Sequence, residues 1–176
     1  KIIKPTIKAL QELGSNYRGF LYAGLMIVND EPYLIEYNVR MGDPECQTIL
    51  PKLKSDLLEI IEACCNETLK KLKIEWYDKK SLCIVICSNG YPDKYNNNIL
   101  IKNTKKINLS EDDFMYHSGT KKIESKVYSN GGRVVSFVSL SSSFKESRDK
   151  IFNLINSLNW TGGFFRKDIG HKVIDE

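Results

Sequence analysis

Nothing in this chain of 176 residues is long and apolar enough to cross a bilayer, which takes about 20 consecutive apolar residues. No leader is legible either. Lys1, Lys4 and Lys8 interrupt the first ten residues, where a signal peptide needs a continuous apolar core. Histidine is scarce, with two residues, both far along the chain. The five cysteines are an odd number without disulfide-like spacing: Cys64 and Cys65 are adjacent, and Cys83 and Cys87 sit in an apolar run. A zinc site would need paired spacings or neighbouring histidines, so free thiols in a reducing cytoplasm are the expectation. Basic blocks are missing too. The net charge of +4 comes from lysines and arginines interleaved with acids, whereas a nucleic-acid module gathers its charge on one face. Neither nucleic acid nor membrane is therefore an expected partner. The chain also lacks an initiator Met and any internal repeat, and reads as a piece of something longer.

What is present is ordinary globular material, 41% hydrophobic and 27% charged. The pattern predicts an α+β protein. "KPTIKALQELG" reads as a short helix ended by Gly14. "FLYAGLMIVND" and "YLIEYNVR" read as a hairpin turning at Glu31 and Pro32, with Leu25, Ile27, Leu34 and Ile35 as core. Ser55 is the expected N-cap of an amphipathic helix over residues 56–70. The lysine-rich stretch that follows suggests a boundary near residue 75, giving domains of 1–75 and 76–176. In the second, "SLCIVICS" is a buried strand, and Asn130, Gly131 and Gly132 carry a strong hairpin signal. "SFKESRDKIFNLINSLN" is an amphipathic helix with Ile151, Leu154, Ile155 and Leu158 at core spacing.

The chemistry concentrates in "YLIEYNVRMGDPECQTIL", residues 33–50. Side chains alternate along a strand, so Glu36, Asn38 and Arg40 project from one face. A carboxylate and an amide oxygen two residues apart can reach one hard cation such as Mg²⁺. Arg40 adds a planar fork suited to phosphate or carboxylate. Gly42 allows a sharp turn, and Asp43 and Pro44 suit the N-cap and first position of a helix, whose amides would make an anion site. The same residues also read as a surface pair of Glu36 with Arg40, a capping Asp43 and a Glu45 that favours the helix dipole.

The longer stretch "YRGFLYAGLMIVNDEPYLIEYNVRMGDPECQTILPKLKSDLLEIIEA" resembles the latter part of the ATP-grasp core of the phosphoribosylamine–glycine ligase family. Three segments carry the likeness in order: Leu-Tyr-Ala-Gly-Leu-Met at 21–26, Glu-Tyr-Asn-Val-Arg-Met-Gly-Asp-Pro-Glu at 36–45, and Leu-Pro-Lys-Leu-Lys-Ser-Asp-Leu at 50–57. "SNGYPDKY", "HSGT", "SNGGRVVSF" and "GGFFRKDIG" resemble the family's small C-terminal domain. The departures are Asn97 and Asn98, where the family usually has Lys-Gly, and Ser118, where Ala is usual.

That resemblance implies the C-terminal part of an ATP-grasp core, of antiparallel strands and helices, followed by a small mixed β-rich domain. It implies a cytoplasmic ligase of purine synthesis that joins glycine to 5-phosphoribosylamine at the expense of ATP. It also implies Glu36 and Asn38 as ligands of Mg²⁺ or Mn²⁺, with Arg40 and Asp43 as candidates for work on the substrates. His117, Arg166 and Asp168 are expected to be structural. The family's N-terminal domain and glycine-rich ATP lid have no counterpart here, so this chain alone is expected to be inactive without that missing part. Two rivals share these residues: another ATP-grasp carboxylate–amine ligase, and a folded non-catalytic fragment.

Overall fold

The computed structural model describes residues 1–174, which divide into two units: Lys1–Cys46 with Leu53–Trp76, and Gln47–Lys52 with the described chain from Tyr77 onward. No helix of the described residues is long and apolar enough to cross a membrane.

The first unit begins with helix α1 (Ile3–Glu12), which ends as expected at Gly14, where φ is +79° and the amide returns to Gln11 O. Strands β1 (Tyr22–Val28) and β2 (Glu31–Asn38) form an antiparallel hairpin. Its turn falls at Asn29 and Asp30 rather than at Glu31 and Pro32. Both turn residues have positive φ, the backbone of a two-residue turn whose twist matches that of the strands. Glu31 and Pro32 are already paired within β2, opposite Val28 and Ile27. The register slips between Gly24 and Leu25, leaving Ile35 as the extra residue of a bulge.

Helix α2 (Glu45–Ile49) is five residues long and starts after Pro44, which follows a cis bond from Asp43. The expected Asp43 cap and Pro44 first position are thus one residue too early, and the helix is too short to serve as an anion site. Helix α3 (Leu57–Cys65) is capped by Asp56, whose carboxylate accepts from the amides of Leu58 at 2.7 Å and Glu59 at 3.3 Å. Ser55, the expected cap, accepts from Glu75 N instead. The helix stops short of residue 70 because Glu67 adopts φ +57°, and Leu69–Lys71 form only a 3₁₀ turn.

Two strands cannot bury their own side chains. Leu25, Ile27, Leu34 and Ile35, expected as core, are 43%, 59%, 43% and 64% exposed. Among the described residues of this unit only Gly42 is buried.

The second unit has a core of its own. Strands β3 (Lys80–Ser88), β4 (Leu100–Ile101), β5 (Asp113–His117), β6 (Thr120–Ile123), β7 (Lys126–Ser129) and β8 (Arg133–Ser141) precede helix α4 (Phe144–Leu158). Strand β9 (Gly163–Phe164) and helix α5 (His171–Ile174) follow it. One antiparallel sheet has the order β5-β8-β3-β9, and a second has β4-β7-β6. Alternation puts Leu82, Ile84 and Ile86 of β3 on the face shared with Phe137 and Val135 of β8. Ile151, Leu154, Ile155 and Leu158 of α4 join the same buried cluster, as their spacing predicts. Each such side chain contributes roughly 1.5–3 kcal/mol by leaving water. Ser143 caps α4 by accepting from Glu146 N, and Glu146 accepts from Ser142 Oγ.

The expected hairpin at Asn130, Gly131 and Gly132 is absent: β7 and β8 lie in different sheets. The tight turn joins β6 to β7 instead, at Glu124 with φ +53°. The glycines mark a crossing where chains nearly touch. A Cβ on Gly132 would lie 2.2 Å from the ring of Tyr91, and one on Gly119 would lie 2.8 Å from Gly131 Cα.

Candidate functional site

The candidate residues gather where the hairpin's open end meets the turn before α2. Asn38 closes β2 in register with Tyr22, and Glu36 pairs with Gly24. The Asn38 amide donates from Nδ2 to Glu36 Oε1 at 2.9 Å, so these two side chains are brought together as their spacing predicts. A Cβ at Gly24 would stand 3.1 Å from Glu36 Cγ, so glycine is what lets the Glu36 side chain lie across the neighbouring strand. Arg40 is beyond the end of β2, not on its face as strict alternation suggests. Its guanidinium donates to Met41 O at 2.9 Å. Asp43 is exposed on the turn.

The pair fits a hard cation by its chemistry. Glu36 brings a carboxylate and Asn38 an amide, whose oxygen and nitrogen exchange places by a half-turn of the terminal bond. Adjacent oxygens on an octahedral Mg²⁺ stand about 2.9 Å apart when each bond is about 2.1 Å. In the structure the Asn38 nitrogen holds that position, 2.9 Å from Glu36 Oε1, and turning the amide over would set its oxygen there. No cluster of three or more His, Cys, Asp or Glu suited to a metal occurs among the described residues. A magnesium ion held by one or two protein oxygens takes its remaining ligands from water and phosphate.

Beside the pair is a relationship the sequence did not announce. Tyr22 Oη donates to Glu45 Oε1 at 3.1 Å. The other carboxylate oxygen of Glu45 lies over Gly42, 2.2 Å from where a Cβ would be. Partial burial pushes the Tyr22 phenol above its usual range. The Glu45 hydrogen bond and charge, and then the Glu36 charge, push it the same way, while Arg40 opposes them. The only sequence signal is Gly42 three residues before Glu45. Nothing in the sequence pairs either with Tyr22.

Other candidates remain outside this constellation. His117, in the second unit, makes a local bond from Nδ1 to Thr120 Oγ1 at 3.0 Å. Arg166 forks onto Asp168 at 3.0 and 2.6 Å, an exposed local pair and not the tie to the core that its place in the tail suggests. Burial raises the Cys87 thiol, and the Arg133 charge partly offsets that.

Comparison with known proteins places both halves of the chain. Residues 81–172 match the family model of the phosphoribosylglycinamide synthetase C domain, and residues 1–46 match that of the same enzyme's ATP-grasp (A) domain. A phosphoribosylamine–glycine ligase of Caldanaerobacter subterraneus is 44% identical over 96% of this chain and 40% of its own length. The chloroplastic ligase of Arabidopsis thaliana is 37% identical over 98% of this chain and 33% of its own. A crystal structure of the Thermotoga maritima phosphoribosylamine–glycine ligase superposes with a TM-score of 0.75 at 29% identity, covering 94% of this chain and 40% of that one. The chain thus spans about two-fifths of the length of the bacterial relatives it matches.

Proposed function

This chain belongs to the phosphoribosylglycinamide synthetase family, and on that footing we propose that it is the C-terminal portion of a phosphoribosylamine–glycine ligase. The complete enzyme joins glycine to 5-phosphoribosylamine in cytoplasmic purine synthesis, with ATP as co-substrate. Residues 1–75 are taken as the end of the ATP-grasp core and residues 76–176 as the small C-terminal domain, a reading supported by the separate matches of 1–46 and 81–172.

The single observation that carries the site reading is the 2.9 Å approach of Asn38 to Glu36. We assign these two residues to hold Mg²⁺ or Mn²⁺. The ion, when bound, offsets polyphosphate charge during transfer. Arg40 is exposed just beyond the end of the same strand, and its fork suits a transferring phosphoryl group or the glycine carboxylate. Asp43 lies on the adjoining turn and helps shape the wall of the substrate pocket.

The chemistry these residues serve has two steps. A glycine carboxylate oxygen attacks the γ-phosphorus of ATP, the bond to the bridging oxygen breaks, and ADP leaves. The amine nitrogen of phosphoribosylamine then attacks the acyl carbon of glycyl phosphate, loses a proton and expels phosphate. An Arg held in place stabilises charge that develops in the first step without reorganising.

The hairpin offers apolar side chains on both faces, Met26, Ile27 and Ile35 among them, each more than half exposed. Such a surface needs further protein over it. We assign that cover to the rest of the same enzyme, so this chain alone is inactive. The test is ADP release dependent on glycine and phosphoribosylamine. Full-length enzyme should be active, this chain silent, and Glu36→Gln at full length slower by at least ~100-fold. Unchanged turnover in that variant would reject the assignment of Glu36.

A further inference from the structure

We propose that Tyr22 and Glu45 are positioning residues for this reaction: their hydrogen bond, seated on Gly42, holds the turn of residues 39–44 so that Arg40 is presented beside Glu36 and Asn38. The inference rests on the site reading above and adds residues that reading does not use.

Three contacts meet at one point. Tyr22 opens β1 and stands in register with Asn38, at the same end of the hairpin as the candidate ligands. Its hydroxyl donates to Glu45 Oε1, so the first residue of β1 is tied to the first residue of α2. Between them is Gly42, the buried residue of this unit. A Cβ there would clash with Glu45 Oε2 at 2.2 Å and meet the Tyr22 ring at 3.0 Å. The amide of Cys46 returns to Gly42 O at 2.8 Å and closes the far side. The turn carrying Arg40 and Asp43 is therefore anchored at one end by β2 and at the other by this clamp. The Arg40 guanidinium donates to the neighbouring Met41 carbonyl at 2.9 Å, a contact within its own turn. A long side chain braced on its own turn depends on that turn's backbone for aim.

The clamp could simply stabilise the fold. The two roles separate in a thermodynamic cycle, because a positioning residue acts through the group it positions and a general stabiliser does not. The experiment uses the full-length enzyme and compares Tyr22→Phe, Glu45→Ala, Glu45→Gln, Arg40→Ala and the double variant Tyr22→Phe with Arg40→Ala. Tyr22→Phe and Glu45→Ala should lower kcat/KM roughly tenfold or more, the scale for a partner that orients a functional group. Glu45→Gln should keep most of the activity, since its amide oxygen still accepts from the phenol. In the Arg40→Ala background, Tyr22→Phe should cost nothing further.

Wild-type turnover in Tyr22→Phe would overturn the proposal. So would the same fold-loss with and without Arg40. If Glu45→Ala does not fold, Tyr22→Phe, which removes one oxygen atom, still decides. Mn²⁺ binding to Glu36→Gln, measured in parallel, tells apart the two levels of failure. Unchanged binding and turnover would sink the site reading and this inference with it. A crippled Glu36→Gln beside a fully active Tyr22→Phe would sink this inference alone.

Discussion

Gly119 and Gly131 touch backbone to backbone: a Cβ on Gly119 would stand 2.8 Å from Gly131 Cα and 2.5 Å from Arg133 O. Both neighbours are main chain, which cannot swing aside as a side-chain tip can. Gly119→Ala should therefore destabilise the second unit by about 1–3 kcal/mol, the usual cost of forcing atoms into a packed place. Gly14→Ala meets nothing within 4 Å but sits at φ +79°. It should cost about 1 kcal/mol, from conformation alone. Chemical denaturation of the two variants checks the difference, and equal effects would contradict it.

Ile151 is wholly buried between helix and sheet, whereas Ile35 on the hairpin is 64% exposed. Ile151→Ala should cost about 2–5 kcal/mol in this chain. Ile35→Ser should leave this chain's stability within about 0.5 kcal/mol, as surface changes do. If the rest of the enzyme covers the hairpin, the same serine should destabilise the full-length protein by more than about 1 kcal/mol. Melting curves of both lengths test the pair.

Acid should loosen the start of α4. Lys150 and then Ser142, by hydrogen bonds, hold the Glu146 carboxyl below its ordinary value of 4.5. A carboxylate depressed in the folded state contributes stability that is complete above its unfolded value. That contribution is lost as pH falls through the lower folded value. The expected result is an acid limb of stability, below about pH 4.5, that flattens in Glu146→Gln. An unchanged limb would remove Glu146 from the account. Ser143→Ala should cost about 1 kcal/mol across the pH range, as for other lost caps.

Metal binding to the full-length enzyme should follow oxygen and not shape at position 38. Asn38→Asp keeps an oxygen donor two residues from Glu36 and should retain Mn²⁺. Asn38→Leu removes it and should weaken Mn²⁺ by about tenfold or more, some 1.4 kcal/mol. Electron paramagnetic resonance titration reads both, and Mn²⁺ held normally by the leucine variant would reject the assignment.

Local chemistry made much of this legible. Glu36 and Asn38 meet because alternation along a strand is a local rule, and α4 follows from the spacing of Ile151, Leu154, Ile155 and Leu158. The misreadings share a cause: each turned on something distant or on a choice between equals. Ser55 and Asp56 are both good caps, and Ser55 is taken by Glu75, twenty residues away. Glycines 131 and 132 look like a hairpin turn, yet they are glycines because Gly119 and Tyr91 crowd them. Tyr22 and Glu45 are separated by the whole hairpin, so no periodicity couples them. Leu25 and Ile35 read as core because they are apolar, and no side-chain pattern reveals which protein covers them.

The place of β8 sets a schedule for the newborn chain. It is the central partner of both β5 and β3, and those strands are made before it. Until Arg133–Ser141 leaves the ribosome, β3 waits with its apolar residues unpaired, and α4, which covers the sheet, arrives later still. Pairing Lys80 with Ser141 closes a long loop, the kind of contact that slows folding. The interval between the synthesis of β3 and that of α4 is therefore when this half of the protein is most exposed to aggregation and most in need of a chaperone.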